Sequence, residues 1–256
     1  MIPNPIRRVL SSIEARRVRA LLMGGQACIL YGAAEFSRDT DLAVLASPSN
    51  LSRLRRALGD LQATVIAVPP FEAKYLRRGH AVHFRCQHPD AVGMRVDVMT
   101  RMRGVDSFPR LWSRRNSIEL PDGTLCEVMS LPDLVQAKKT QRDKDWPMLR
   151  RLLEADYFRL RPRASAQQVR FWLRELRTPE LLVEAATRWP AACHRLKQRR
   201  PLLRLARPGL EARLADALAT EEGRERRADA RYWAPLKSEI EALRRERVRG
   251  ATTEAQ

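Results

Sequence analysis

The sequence predicts an α+β fold, in which a mixed sheet flanked by helices is followed by an all-helical C-terminal domain. Up to about residue 130, short apolar or alternating segments of strand length stand between segments whose apolar residues recur every three or four positions, as in helices. From Leu131 onward the spacing is helical throughout, and prolines break it into segments. We therefore expect two domains, residues 1–156 and 157–256.

In the first domain, predicted helices and strands alternate. In chain order they are a basic amphipathic helix over 6–17, a strand over 19–23, a helix over 26–33, a strand over 39–45, a helix over 50–61, a short strand over 64–68, a brief helix over 71–78, and strands over 81–86 and 94–99. The last two strands should pair around the loop between them, which would bring Asp97 into the sheet. Pro121-Asp122-Gly123 predicts a hairpin between 117–120 and 124–129.

The C-terminal helices carry recognisable start and stop signals. Ser165 with Gln168 three residues later matches a capping box, and Thr178-Pro179-Glu180 is typical of a helix N-terminus. The last helix is expected over about 224–247 and contains Pro235, which predicts a kink or a division there.

Composition narrows the class of protein. The 256 residues carry 48 Lys and Arg against 30 Asp and Glu, a net charge of +18, which favours polyanionic partners such as nucleic acids or nucleotides. Part of this charge reflects a general bias of the chain toward arginine. No apolar run approaches the roughly 18–20 residues needed to span a bilayer, and no secretory signal layout is present. The four cysteines are scattered without paired spacing, which is typical of reduced thiols. We expect a cytoplasmic protein without membrane association.

Two glycines and three aspartates form the most informative pattern. Gly24 and Gly25 follow an apolar run, and Asp39 and Asp41 stand two residues apart just before another. On a strand both carboxylates would project from one face, about 6–7 Å apart. Their mutual repulsion would be relieved by a cation, and Mg²⁺ is the usual partner of hard oxygen ligands. Asp97, among apolar neighbours in an alternating segment, is the candidate third acid.

Residues 20–100 with this pattern resemble the nucleotidyltransferase superfamily that contains DNA polymerase β. The resemblance implies transfer of a nucleoside monophosphate from an NTP to a hydroxyl, assisted by two Mg²⁺ ions. Asp39 and Asp41 would hold both ions, and Asp97 would hold the ion next to the attacking hydroxyl. The backbone N–H groups of Gly24 and Gly25 would cradle the β- and γ-phosphates.

The register of the aspartates has two readings. Relatives of the abortive-infection type usually read R-x-T-x-D-x-D, whereas this chain reads Arg38-Asp39-Thr40-Asp41. If Arg38 and Thr40, the expected nucleotide contacts, set the register, the metal pair falls on Asp41 and Ala43 and one ligand is missing. If the D-x-D spacing sets it, Asp39 and Asp41 are the ligands, a reading we prefer because it uses every carboxylate. A further alternative leaves Asp39 as a turn cap and Asp41 as a solvated residue.

Residues 131–145 resemble the helix that follows the catalytic domain in the same relatives. Lys138 and Arg142 are four residues apart, hence on one face of that helix, and could reach the triphosphate or pyrophosphate. The alternative is an ordinary basic surface with local ion pairs.

The histidines between residues 80 and 88 suggest zinc, but His83 and Cys86 would face opposite sides of a strand, whereas a zinc site needs convergent ligands. Structural roles are favoured for them. His83 or Arg85 could still line the nucleotide pocket, because their strand should lie beside Asp97.

The acceptor is the open part of the hypothesis. Relatives modify RNA, proteins or small aminoglycosides, and the cationic helical domain favours RNA. A toxin–antitoxin or abortive-infection role, with a partner protein encoded nearby, is a further expectation. The alternative function is a catalytically degenerate nucleotidyltransferase fold that acts as a nucleic-acid-binding or regulatory module.

Overall fold

The computed structural model describes residues 4–34 and 36–254, which form two compact units. Of the described residues, unit 1 comprises 4–30, 36–137 and 231–254. Unit 2 takes in Tyr31–Ala34 and Lys138–Ala230. The two units are defined by which residues lie close together in space, and this does not show that either unit folds independently. The domain limits at residues 156 and 157 therefore stay a prediction.

Unit 1 contains a seven-stranded mixed sheet, which confirms the α+β class. Its strands are β1 Ala20–Met23, β2 Asp39–Val44, β3 Thr64–Val65, β4 Val82–Arg85, β5 Arg95–Met99, β6 Asn116–Glu119 and β7 Leu125–Val128. Their spatial order is β3-β4-β5-β2-β1-β7-β6. The β2–β5 and β1–β7 pairs are parallel, and the remaining pairs are antiparallel. The predicted pairing of β4 with β5 and the β6–β7 hairpin are both confirmed.

Within the described residues, six α-helices of unit 1 precede Lys138. They are α1 Asn4–Ala15, α2 Gly24–Leu30, α3 Pro48–Asp60, α4 Ala73–Arg78, α5 Phe108–Ser113 and α6 Leu131–Ala137. Ser47 caps α3 by accepting from the backbone N–H of Asn50. The short helix α2 begins at the residue after β1, so the chain turns from strand to helix without a loop.

One face of the central strands forms the core. Its side chains alternate along β2, β4 and β5 and are almost completely buried: Thr40, Leu42, Val44, Val82, Phe84, Val96 and Val98. Burying a Val, Leu or Phe side chain contributes about 1.5–3 kcal/mol. Because a register slip of one residue would expose this whole set, the apolar alternation fixes which residues occupy the opposite face.

Unit 2 is helical. Its helices are α7 Asp145–Leu160, α8 Ala166–Glu175, α9 Pro179–Arg188 and α10 Pro190–Leu196, with short 3₁₀ turns at Arg161–Arg163 and Pro201–Arg204. The capping box at Ser165 and the start of α9 after Thr178 are both confirmed. Tyr157 and Trp189 pack against Trp172, whose Nε1–H donates to Asp156 at 2.9 Å.

The last helix, α11, spans Glu211–Glu254 and runs through Pro235 without interruption. The expected division at Pro235 and the expected start at residue 224 are therefore wrong. Packing on unit 1 past the proline explains the continuity, because His80 is buried and its Nε2 lies 2.8 Å from Glu239. Such tertiary contacts can offset the roughly 3 kcal/mol that proline costs inside a helix.

The four cysteines are unpaired and buried, in agreement with the expected reduced thiols. Among the helices of the described residues, none combines the length and the apolar character that crossing a bilayer requires.

Candidate functional site

The three predicted acids lie side by side on one face of the sheet. In the parallel β2–β5 pair, Asp41 stands directly opposite Asp97, and Asp39 stands opposite Arg95. Residues directly opposite each other project to the same face, as do residues two apart on one strand. The face opposite the apolar core therefore carries Asp39, Asp41 and Asp97 as neighbours, the arrangement expected from the sequence.

Strand β4 adds two basic side chains to the same face. In the antiparallel β4–β5 pair, His83 stands opposite Asp97 and Arg85 opposite Arg95. The face is therefore a small grid with one row of Arg85, Arg95 and Asp39 and a second row of His83, Asp97 and Asp41. We call these six residues the polar grid. It contains three acids, two arginines and a histidine.

Gly24 brings the backbone against one corner of the grid. Its φ is +67°, in the left-handed region that favours glycine, and a Cβ added there would overlap the Asp41 carboxylate. Only glycine can therefore occupy this position without displacing Asp41. The next residue, Gly25, is similarly tight, because a Cβ there would overlap the Ser37 hydroxyl. The glycine pair thus allows the start of α2 to approach the aspartates.

Asp97 is held by two basic neighbours. Its Oδ1 accepts from Arg95 Nε at 2.8 Å and lies 2.8 Å from His83 Nδ1, which is itself 3.0 Å from an Arg95 terminal nitrogen. Since Nδ1 carries at most one proton, it either donates to Asp97 or accepts from Arg95. Burial alone would raise the pKa of Asp97, but hydrogen bonds from His83 and Arg95 outweigh burial and leave that pKa below its ordinary value. Asp97 is therefore ionised at neutral pH.

Arg95 interacts electrostatically with all three carboxylates. Its hydrogen bond to Asp97 raises the pKa of Arg95, and the charges of Asp39 and Asp41 raise it further. Its side chain is 38% exposed, so the guanidinium borders solvent while it pairs with Asp97. Arg95 was not among the predicted site residues, although its position two residues before Asp97 places it on the same face.

The segment before β2 is held in place by two hydrogen bonds that involve Ser37. Gln26, fully buried in α2, donates from Nε2 to the Ser37 carbonyl at 2.9 Å. The Ser37 hydroxyl in turn donates to the Asp39 carbonyl at 3.4 Å. These bonds tie the helix after the glycine pair to the backbone that presents Asp39. Neither Gln26 nor Ser37 carries a motif that would have identified it in the sequence.

The two residues that flank Asp39 lie in different environments. Arg38 is exposed, and its guanidinium lies 5.9 Å from the ring centroid of Phe36, which is 63% exposed. Thr40 is completely buried on the core face of β2. Its side chain therefore points away from the aspartates, and the expected contact of Thr40 with a nucleotide on their face is corrected.

Lys138 and Arg142 do not share a helix face. Helix α6 ends at Ala137 and α7 begins at Asp145, so the helix expected over 131–145 is interrupted by an irregular segment. In unit 2, Lys138 Nζ lies 3.0 Å from Asp145 Oδ1 and Arg142 Nε lies 2.8 Å from Asp145 Oδ2. Burial would raise the pKa of Asp145, but the charge of Lys138 and further hydrogen bonds lower that pKa overall. The ion pairs observed for the two basic residues are local.

The polar grid fits a divalent cation by the chemistry of its donors. Three ionisable carboxylates on neighbouring positions are the ligands that Mg²⁺ prefers. Within the described residues, no three acidic, histidine or cysteine side chains already surround a common point. A cation bound by Asp97 would therefore share that carboxylate with Arg95 and His83, or displace them. Asp39 and Asp41 are the remaining ligands available beside it.

A cavity of about 310 Å³ lies on the opposite face of the sheet. Leu22, Leu42 and Trp112 contribute to its mostly apolar lining, and Cys126 forms part of its wall. Burial, together with the charges of two nearby glutamates, raises the pKa of Cys126 to about 12, so this thiol is not a nucleophile at neutral pH. The cavity is separate from the polar grid and was not expected from the sequence.

Comparison with known proteins adds no relative. No family model matches the chain, and no curated protein is significantly similar to it. The likeness of residues 20–100 to nucleotidyltransferases thus remains an inference from the motif.

Proposed function

We propose that the protein is a Mg²⁺-dependent nucleotidyltransferase that transfers a nucleoside monophosphate from an NTP to a hydroxyl of an acceptor. The observation that carries the proposal is the meeting of Asp39, Asp41 and Asp97 on one sheet face, with Asp41 against the Gly24 backbone. These acids come from two distant parts of the chain, Asp39 and Asp41 from β2 and Asp97 from β5. Their apposition is unnecessary for packing, since the opposite face of the same strands supplies the core.

Each residue of the site has a role in this proposal. Bound Mg²⁺, two ions by the resemblance, would neutralise the triphosphate oxygens and polarise the α-phosphorus for in-line attack. Asp39 and Asp41 would provide ligands, and Gly24 would leave room for the phosphates beside Asp41. Asp97 would hold the ion next to the acceptor hydroxyl, and its carboxylate could take the proton that the hydroxyl loses. Arg95 and His83 would orient Asp97 and keep it ionised.

The test is transfer of label. Purified protein is incubated with each NTP labelled at the α-phosphate, with MgCl₂, and with total RNA or cell lysate. The proposal expects label to enter an acceptor together with release of pyrophosphate, and expects Asp39→Asn and Asp97→Asn each to abolish transfer. Full transfer by both folded variants would falsify the metal assignment.

One observation favours the alternative, a catalytically degenerate fold that binds nucleic acid. Asp97 is already paired with Arg95 and His83, an arrangement that needs no cation. Thermal unfolding separates the two functions, since a ligand stabilises the state to which it binds. An enzyme gains stability from ATP with Mg²⁺ and loses that gain in Asp39→Asn. A degenerate module gains stability from RNA and is indifferent to Mg²⁺ with ATP.

A further inference from the structure

We propose that Arg85 and Arg95 form a phosphate-binding subsite for the acceptor, and that the acceptor is therefore a single-stranded nucleic acid. This inference rests on the proposed function, because it assigns the substrate class of the same site. The polar grid would then bind two substrates, the NTP and the polynucleotide to which the nucleoside monophosphate is transferred.

The two arginines are adjacent by register. Arg85 stands directly opposite Arg95 across the antiparallel β4–β5 pair, and both lie on the face of the aspartates. Like charges at directly opposite positions destabilise a sheet. Asp97 compensates Arg95 by accepting from its Nε at 2.8 Å. Arg85 is exposed and forms no ion pair with any described residue. An anion bound between the two guanidinium groups would remove the remaining repulsion.

The position of the pair assigns it to the acceptor. The sheet order β4-β5-β2-β1 places Arg85 on one side of the aspartates and Gly24, which follows β1, on the other. Strands β4 and β1 are three spacings apart, each about 4.8 Å. In the proposed function the triphosphate occupies the glycine side, next to Asp41. A phosphate on the arginine side then belongs to the molecule whose hydroxyl lies beside Asp97.

The chemistry of such an acceptor is that of a polynucleotide, which carries phosphodiesters next to its hydroxyl groups. Arginine pairs bind phosphate oxygens through several parallel N–H bonds. An exposed aromatic side chain close in sequence to the catalytic carboxylates is a second feature of single-strand binding, since bases stack on it. Phe36, 63% exposed and three residues before Asp39, provides that surface, with Arg38 beside its ring.

The test uses the full chain and a fluorescein-labelled single-stranded RNA without NTP, so that no turnover occurs. Anisotropy gives the affinity between 50 and 200 mM salt for wild type, Arg85→Ala and a matched control, Arg77→Ala. Arg77 is also an exposed arginine of unit 1, but it lies in α4. Loss of one charge-assisted phosphate contact in Arg85→Ala should weaken RNA binding about tenfold and reduce the salt slope by about 0.7. The control should change affinity less than about twofold, since an exposed charge outside the polar grid is largely screened.

A second arm separates the phosphates of the acceptor from those of the nucleotide. Binding of a non-hydrolysable ATP analogue with Mg²⁺ is measured for the same variants, and Arg85→Ala should lose much less affinity for the analogue than for RNA. The inference is overturned if Arg85→Ala binds RNA as well as Arg77→Ala does, or if it loses as much affinity for the analogue as for RNA. Because RNA binding is measured without chemistry, a failure of nucleotide transfer stays distinguishable from a failure of this subsite.

Discussion

At the scale of single residues, the site depends on which side chains the backbone can accommodate. Gly24 combines a left-handed φ of +67° with direct contact to the Asp41 carboxylate. Asp97 combines burial with two basic neighbours that keep it ionised. Both features follow from the chain's local geometry and charge, and each can be changed by a single substitution.

Gly24→Ala should abolish nucleotide transfer, because the new methyl group must displace Asp41. The matched control is Gly93→Ala, whose φ is +77° but whose added Cβ would meet no atom within 4 Å. The control should cost only the left-handed strain, about 1–2 kcal/mol of unfolding free energy, and should retain transfer. Urea unfolding and the label-transfer assay check both effects. Equal activity of the two folded variants contradicts the packing of Gly24 on Asp41.

At the scale of elements, the chain between α6 and α7 is organised by one buried carboxylate. Asp145 forms ion pairs with Lys138 Nζ at 3.0 Å and with Arg142 Nε at 2.8 Å, and it is only 2% exposed. The basic residues that the motif suggested for phosphate binding are thus used locally. A regular helix through residues 138–144 would not bring both cations to the first residue of α7.

Asp145→Asn should destabilise the fold at pH 7 by about 3 kcal/mol, the lower end of the cost of breaking a buried ion pair. The pKa of Asp145 is lowered in the folded state, so its stabilisation is present above the unfolded pKa of about 3.8 and is lost as pH falls through the folded pKa. The difference between wild type and variant should therefore shrink in acid. Urea titrations at pH 7 and near pH 3 measure it.

The control for that experiment is Asp143→Asn. The Asp143 side chain is 98% exposed and pairs with Arg226 at the surface. Removing an exposed pair of this kind should cost less than about 1 kcal/mol at pH 7. A cost for Asp145→Asn as small as this would show that the buried ion pair does not hold the segment.

The elements also show what the sequence could and could not specify. Alternating apolar residues were sufficient to predict β4, β5 and their pairing. The position of Asp97 beside Asp41 depends on the β2–β5 pairing, which only the resemblance implied. The pairing of Asp97 with Arg95 was missed although residues two apart on a strand share a face, because the sequence pattern does not show which nearby charge a side chain pairs with. The continuity of α11 through Pro235 was missed for a similar reason, since it depends on contacts such as that between His80 and Glu239.

At the scale of the whole molecule, the net charge of +18 is only partly available to a polyanion. Arg177 and Arg200 are buried and both pair with Glu221. Arg200 also donates to the carbonyls of Leu173 and Leu176 at the end of α8, at 3.0 and 2.9 Å. Burial lowers the pKa of Arg177, although the nearby glutamates oppose that effect. Some arginines therefore hold the helical unit together, and charge alone does not identify an RNA-binding surface.

Calorimetric titration of a non-hydrolysable ATP analogue, with and without Mg²⁺, tests the central claim most directly. Wild type should bind the analogue with Mg²⁺ and lose most of its affinity in EDTA. Asp41→Asn should bind weakly in both conditions, while Asp90→Asn, which changes an exposed carboxylate in a short 3₁₀ helix, should behave as wild type. Binding by wild type that is unaffected by Mg²⁺, or unchanged in Asp41→Asn, would contradict a metal and nucleotide site at these three aspartates.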